Sequence, residues 1–203
     1  MKIVALDIDG CLADFNTSYG KLLANLNGKD LCPEGWEMDP EFPKVWNWER
    51  AAGYSTAVEN ATWKTIVGVG NKFWQELTPY TGVPETLGKL NESVKAGKIN
   101  LYFLTDRMGD RAKLQTEKWL YEYGVDYPTV ILGGDKVPFL KTVRANFFID
   151  DKPSTLVTVY SVSKNENWPD FSLYALDMPY NREVPQVKRA ASVFEAMKDA
   201  GVL

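Results

Sequence analysis

Short, nearly continuous runs of aliphatic, β-branched and aromatic residues recur along this chain at Ile3–Leu6, Ile99–Leu104, Thr129–Leu132, Asn146–Ile149 and Leu173–Leu176. Each is bounded by glycine or polar residues and is too short for a buried helix, which reads as a strand covered on both faces. Between them the spacing of apolar positions predicts helices over Thr86–Lys95, Asp110–Tyr123, Val137–Val143 and Gln186–Ala200. Strands alternating with helices of this length indicate an α/β fold with a parallel sheet.

The stretch from Asn16 to Leu77 follows a different pattern. It has no good strand run, is broken by Pro33, Pro40 and Pro43, and holds Trp36, Trp46, Trp48, Trp63 and Trp74, five of the seven tryptophans. It reads as a small helical insertion after the first strand, leaving residues 1–15 and 78–203 as the α/β core domain. Aromatic clusters in small helical units mostly form core, and a subset of these rings is expected to line a pocket.

Three predicted strands end in polar side chains. Asp7 and Asp9 follow the first, Thr105 and Asp106 follow Leu101–Leu104, and Asp150 and Asp151 follow Phe147–Ile149. Residues i and i+2 of a strand share a face, so Asp7 and Asp9 can share one site. Paired carboxylates there repel unless a cation lies between them or one holds a proton. One such end is an ordinary Asp-Gly turn. Three together suggest one site, because open α/β sheets bind ligands outside the carboxyl ends of their strands.

Composition narrows the chemistry. The 203 residues are 45% hydrophobic and 25% charged, with net charge -4, which fits a soluble globular protein and not a general nucleic-acid surface. No apolar segment suits a signal peptide or membrane span, and Cys11 and Cys32 make no disulfide framework, so a cytoplasmic protein is expected. Histidine is absent, which removes Ser-His-Asp and Cys-His catalysis and histidine zinc sites. Acid–base work then falls to carboxylates, Lys, Tyr or water, and a metal to hard oxygen ligands.

Asp7-Ile8-Asp9-Gly10, Thr105, a downstream lysine and Asp150-Asp151 resemble, in order and spacing, the four motifs of the haloacid dehalogenase-like phosphohydrolase superfamily. Asp7–Phe15, Phe73–Gly82 and Phe148–Pro153 look most like its 5'(3')-deoxyribonucleotidase group. The resemblance implies a three-layer, Rossmann-like core with a helical cap inserted after the first strand. It also implies that Asp7 is the nucleophile and Asp9 the acid and base. Mg²⁺ would be held by Asp7, the Asp9 carbonyl and Asp150, with Asp151 supporting that set or adding a ligand.

Thr105 offers a hydroxyl to a phosphate oxygen and is a candidate to cap the next helix, two compatible roles. Lys136, directly after a strand end, is the better-placed phosphate lysine, with Lys141 one helical turn beyond as the alternative. Asp106 is unusual beside that threonine and must turn away or pair with Arg107, both residues being expected near the substrate. Trp46, Trp48, Trp63 and Phe73 are the candidates to stack on a base. The expected activity is phosphate release from a nucleoside monophosphate, with a sugar phosphate or a non-catalytic phosphate-binding role as alternatives. The expected partner is a small phosphorylated molecule, with no nucleic acid polymer and no membrane, and the default assembly is a homodimer.

Overall fold

The computed structural model describes residues 1–29, 31, 42–184 and 186–203. Cys32, Pro33, Trp36 and Pro40 lie outside the described residues. Six strands, β1 (Lys2–Leu6), β2 (Ile99–Thr105), β3 (Val130–Leu132), β4 (Phe147–Asp150), β5 (Ser172–Leu176) and β6 (Lys188–Ala190), form one sheet in the order β3-β2-β1-β4-β5-β6. Every pairing is parallel. The chain moves outward from β1 to β3, then crosses back to lay β4 on the other side of β1. That reversal is the switch point at which such sheets bind ligands.

Alternation along the strands builds two apolar layers. Val4 and Leu6 of β1, with Phe147 and Ile149 of β4, belong to one core cluster, whereas Ala5 and Phe148 belong to the other. On the first face the sheet is covered by α4 (Val83–Lys95), α5 (Ala112–Glu122) and α8 (Val193–Asp199), through residues such as Leu87, Trp119 and Met197. On the second it is covered by α6 (Val137–Val143) and α7 (Pro153–Asn165), through Leu140, Leu156 and Val159. This is the expected three-layer α/β core.

The chain between β1 and α4 contributes α1 (Phe15–Asn27), α2 (Trp48–Ala51) and α3 (Thr56–Ile66), and no strand among the described residues. Asp14 starts α1 by accepting a hydrogen bond from the Thr17 amide at 3.1 Å, and Ser55 caps α3 in the same way. Helices α1 and α3 pack together, bringing Phe15, Tyr19 and Trp63 into ring contact.

Two elements depart from the periodicity. Gln186–Ala200 is not one helix: Lys188–Ala190 pairs with Tyr174–Leu176 as β6, and α8 begins only after Ser192, whose hydroxyl caps it. Ionic contacts of β6, Lys188 with Asp199 and Arg189 with Asp177, hold this polar segment at the sheet edge. Helix α7 is not announced by the sequence because Thr155, Val157, Thr158, Val159 and Val162 are β-branched. Burial of Leu156 and Val159 against the sheet overrides that preference. No helix among the described residues is long and apolar enough to cross a membrane.

Candidate active site

The turn after β1 is wound tightly around one carbonyl. Ile8 O accepts from the amides of Cys11, Leu12 and Ala13, while Gly10 N donates to Ala13 O. Gly10 takes φ 81°, and a Cβ there would overlap the Asp151 carboxylate. A side chain at Gly10 is therefore penalised by backbone strain and by collision with a buried group. Gly10→Ala is expected to lower unfolding stability by at least about 1–3 kcal/mol; an unchanged denaturation midpoint would contradict this close approach.

This turn delivers Asp7 to the end of β1, next to the ends of β2 and β4. The Asp7 amide donates to Ile149 O at 3.0 Å, locking β1 to β4 at the point where Asp150 leaves the sheet. Asp7, Asp150 and Asp151 are all buried, and so is Lys136, the residue that precedes α6. The Lys136 ammonium donates to Asp7 and, at 2.7 Å, to Asp150 Oδ2. Burial works against the lysine's charge, but Asp150 and Asp7 outweigh it and raise its pKa above the usual range. One ammonium stands against three buried carboxylates and donates to two of them.

The surplus of negative charge shows in the acids. Burial pushes Asp7 well above the ordinary carboxylate range, with Lys136 opposing and Asp150, Asp151 and Asp9 adding to the rise. Burial, then the Asp150 charge, pushes Asp151 up to about 7. Asp151 is held by the Tyr180 hydroxyl and, through its carbonyl, by Asn181 Nδ2 at 2.8 Å. Asp7, Asp151 and the Cys11 thiol have ligand atoms within 4.8 Å of one another. Burial pushes the Cys11 thiol up, so it stays S–H and leaves carboxylate oxygens as the donors. Hard oxygen donors with uncompensated negative charge fit Mg²⁺.

Asp9 lies across from this cluster. Its Oδ1 accepts from Arg107 Nη2 at 2.8 Å, and its Oδ2 accepts from Arg107 Nε at 2.9 Å and from Thr105 Oγ1 at 3.3 Å. Thr105 therefore turns its hydroxyl toward the site; α5 begins only at Ala112, after Arg111, so Thr105 caps no helix. Asp106 does not pair with Arg107. It is half-exposed and lies 3.6 Å from Lys152 Nζ.

These groups open into a cavity of about 320 Å³, within the size range of small-molecule sites. Its other walls are mainly aromatic, from Phe15, Tyr19, Trp46, Trp48, Trp63 and Trp74, with Asn16, Asn47, Glu49 and Met108 among them. Trp46 meets Tyr180 edge-on at 5.4 Å, and Trp48 Nε1 donates to Asn16 Oδ1 at 3.0 Å. Phe73 does not line the cavity; it packs edge-on against Phe15 and Trp74 from behind. Lys141 is exposed and pairs with Glu166, away from the cavity, so of the two predicted lysines Lys136 is the one at the site; Lys152, which the sequence reading did not single out, also lines the cavity. Tyr180 and Asn181 escaped the sequence reading, although Asp177–Asn181 follows the fifth apolar run just as the other polar ends follow theirs.

The model of the family described as "5' nucleotidase, deoxy (Pyrimidine), cytosolic type C protein" matches residues 1–200. A curated Bacillus cereus protein, "Putative nucleotidase", is 29% identical over 126 residues, 57% of this chain and 62% of that protein. The match thus spans less than two thirds of that relative's length. A Streptococcus pneumoniae hydrolase of the haloacid dehalogenase-like family superposes with a TM-score of 0.60 at 11% identity, covering 98% of both chains. The Bacillus subtilis hydrolase YfnB, solved with magnesium bound, superposes with a TM-score of 0.58 at 11% identity and the same coverage. These structures share the fold, and the match over residues 1–200 shows that the chain belongs to the family described as 5' nucleotidase, deoxy (pyrimidine), cytosolic type C protein.

Proposed function

We propose that the protein is a Mg²⁺-dependent phosphoric monoester hydrolase acting on a nucleoside monophosphate, of the 5'- or 3'-deoxyribonucleotide class. One observation carries this reading. A buried carboxylate, Asp7, meets a lysine and two further carboxylates at one end of a cavity whose other end is walled by indole and phenyl rings. The polar end suits a phosphate with a divalent cation, and the aromatic end suits a planar group. The family match supports the same assignment.

In this reading a carboxylate oxygen of Asp7 forms the bond to phosphorus as the ester P–O bond breaks, giving an aspartyl-phosphate. Asp9 gives its proton to the leaving oxygen and later takes one from the water that attacks phosphorus. Lys136 and Thr105 hold oxygens of the transferring group, whose charge is spread over its equatorial positions. Asp7, Asp150, Asp151 and the Asp9 carbonyl would hold Mg²⁺, which supplies neutralising charge to the phosphoryl group. The residues between β1 and α4 act as a cap that selects the substrate.

Phosphate release measured with Mg²⁺ across nucleoside 5'- and 3'-monophosphates and sugar phosphates tests the reading. Preferential turnover of nucleotides is expected. Preference for a sugar phosphate overturns the substrate assignment, and nucleotide binding without phosphate release overturns the catalytic one.

A further inference from the structure

The sequence places Arg107 near the substrate, yet its guanidinium has little left to offer a phosphate. An arginine head has five N–H donors. Nε and one of the two Nη2 hydrogens are spent on Asp9, at 2.9 and 2.8 Å, which leaves the other Nη2 hydrogen as the one unused donor of the five. Nη1 is spent on Trp74 O at 3.2 Å and Thr116 Oγ1 at 3.0 Å, and the Thr116 hydroxyl is itself fixed by donating to Ala112 O. The head also lies by the rings of Trp74 and Trp119, 5.1 and 5.9 Å from their centroids. Both residues border the cavity, but the Arg107 side chain has no exposed surface, whereas that of Asp9 is 21% exposed, so it is Asp9 that presents its polar atoms to a ligand.

Each contact has a separate consequence. The α5 hydroxyl and the Trp74 carbonyl fix the plane of the guanidinium. That plane, through a two-nitrogen contact, fixes both oxygens of Asp9, which a lysine's point charge cannot do. Trp74 joins the two halves of the site: its ring walls the cavity and its carbonyl accepts from Arg107.

We infer that Arg107 is a positioning residue for the acid–base step: it sets the Asp9 carboxylate toward the leaving oxygen and makes no contact with substrate. This rests on the reading of the site as a phosphomonoester hydrolase. As Asp7 bonds to phosphorus, the ester P–O bond breaks and its electron pair stays on the leaving oxygen. An alkoxide leaving group needs the proton of Asp9 at that moment; a 4-nitrophenolate departs without one. A misaimed Asp9 thus penalises nucleotides far more than 4-nitrophenyl phosphate.

The test compares wild type, Arg107→Ala and Arg107→Lys on both substrates with Mg²⁺. For the nucleoside monophosphate, kcat is expected to fall about 10²-fold, in line with the worth of a positioned general acid, while KM moves less than about threefold. For 4-nitrophenyl phosphate, the loss of kcat is expected to be at least about tenfold smaller, on the same grounds. Added guanidinium is expected to restore nucleotide turnover to Arg107→Ala. Thr116→Val, which leaves the Asp9 contact intact but frees the plane of the head, covers the case in which Arg107→Ala fails to fold, and is expected to shift the substrate ratio the same way. Equal losses on both substrates, or a rise in KM alone, overturn the inference. Turnover of 4-nitrophenyl phosphate retained by Asp7→Asn would instead overturn the underlying hydrolase reading.

Discussion

Asp7→Asn is expected to lower phosphate release by at least about 10³-fold, because a nucleophile cannot be shared out among its neighbours. The same change should leave the fold intact. Asp7 is one of three buried carboxylates around one ammonium, and burial already pushes its proton affinity up. Exchange for a neutral amide of the same shape removes repulsion with Asp150 and Asp151. In EDTA the variant should therefore unfold at or above the wild-type temperature. Loss of activity together with a large fall in unfolding temperature would mean that Asp7 is structural.

Wild-type protein in EDTA should show the cost of that charge directly. Burial and the Asp150 charge raise the Asp151 carboxyl to about 7 in the folded state. The folded state therefore holds a proton that the unfolded chain, with carboxylates near 4, releases. Bound protons favour folding at low pH, so stability falls as pH rises from about 4 to about 7. Saturating Mg²⁺ should flatten this slope, since it binds the ionised acids. Thermal unfolding at several pH values, with and without Mg²⁺, checks it; a flat metal-free profile contradicts the charge imbalance.

Lys136→Met carries the largest expected effect on stability. Lys136 is buried and donates to both Asp7 and Asp150. Removing the ammonium strands acids with no counter-charge, which in buried pairs costs about 3–5 kcal/mol. The loss should be largest in EDTA near neutral pH and shrink when Mg²⁺ is added, because the cation takes over part of the compensation. The double variant Asp7→Asn, Lys136→Met should recover part of the loss. Denaturant unfolding of the four proteins gives the coupling directly, and strict additivity would show that the lysine acts independently of Asp7.

Much of this site lies on the surface of the sequence. A parallel sheet ends its strands along one edge, so a polar residue at the end of each apolar run falls at a common place. That is how Asp7, Thr105, Asp150 and Asp151 could be collected without a structure, and why Lys136, one short turn after β3, joined them. Tyr180 and Asn181 obey the same geometry after β5, and attention to that strand end would have found them. The break in the helix that spacing predicts over Gln186–Ala200 has another cause. Lys188–Ala190 is a strand because β5 presents it an open edge, a long-range condition that local spacing does not carry.

Periodicity and strand-end chemistry, both local, therefore settle the α/β class and the acidic edge from the chain alone. Orientation is different. Phe73 and Trp74 are neighbours in sequence, yet only Trp74 walls the cavity, while Phe73 packs behind it against Phe15. Arg107 and Asp106 are adjacent, yet one is buried beneath Asp9 and the other reaches to Lys152 near solvent. Such choices depend on what stands on the far side of each side chain: the Trp74 carbonyl, the Thr116 hydroxyl and the faces of two indoles. Those partners come from distant parts of the chain, and only the packed tertiary structure brings them together.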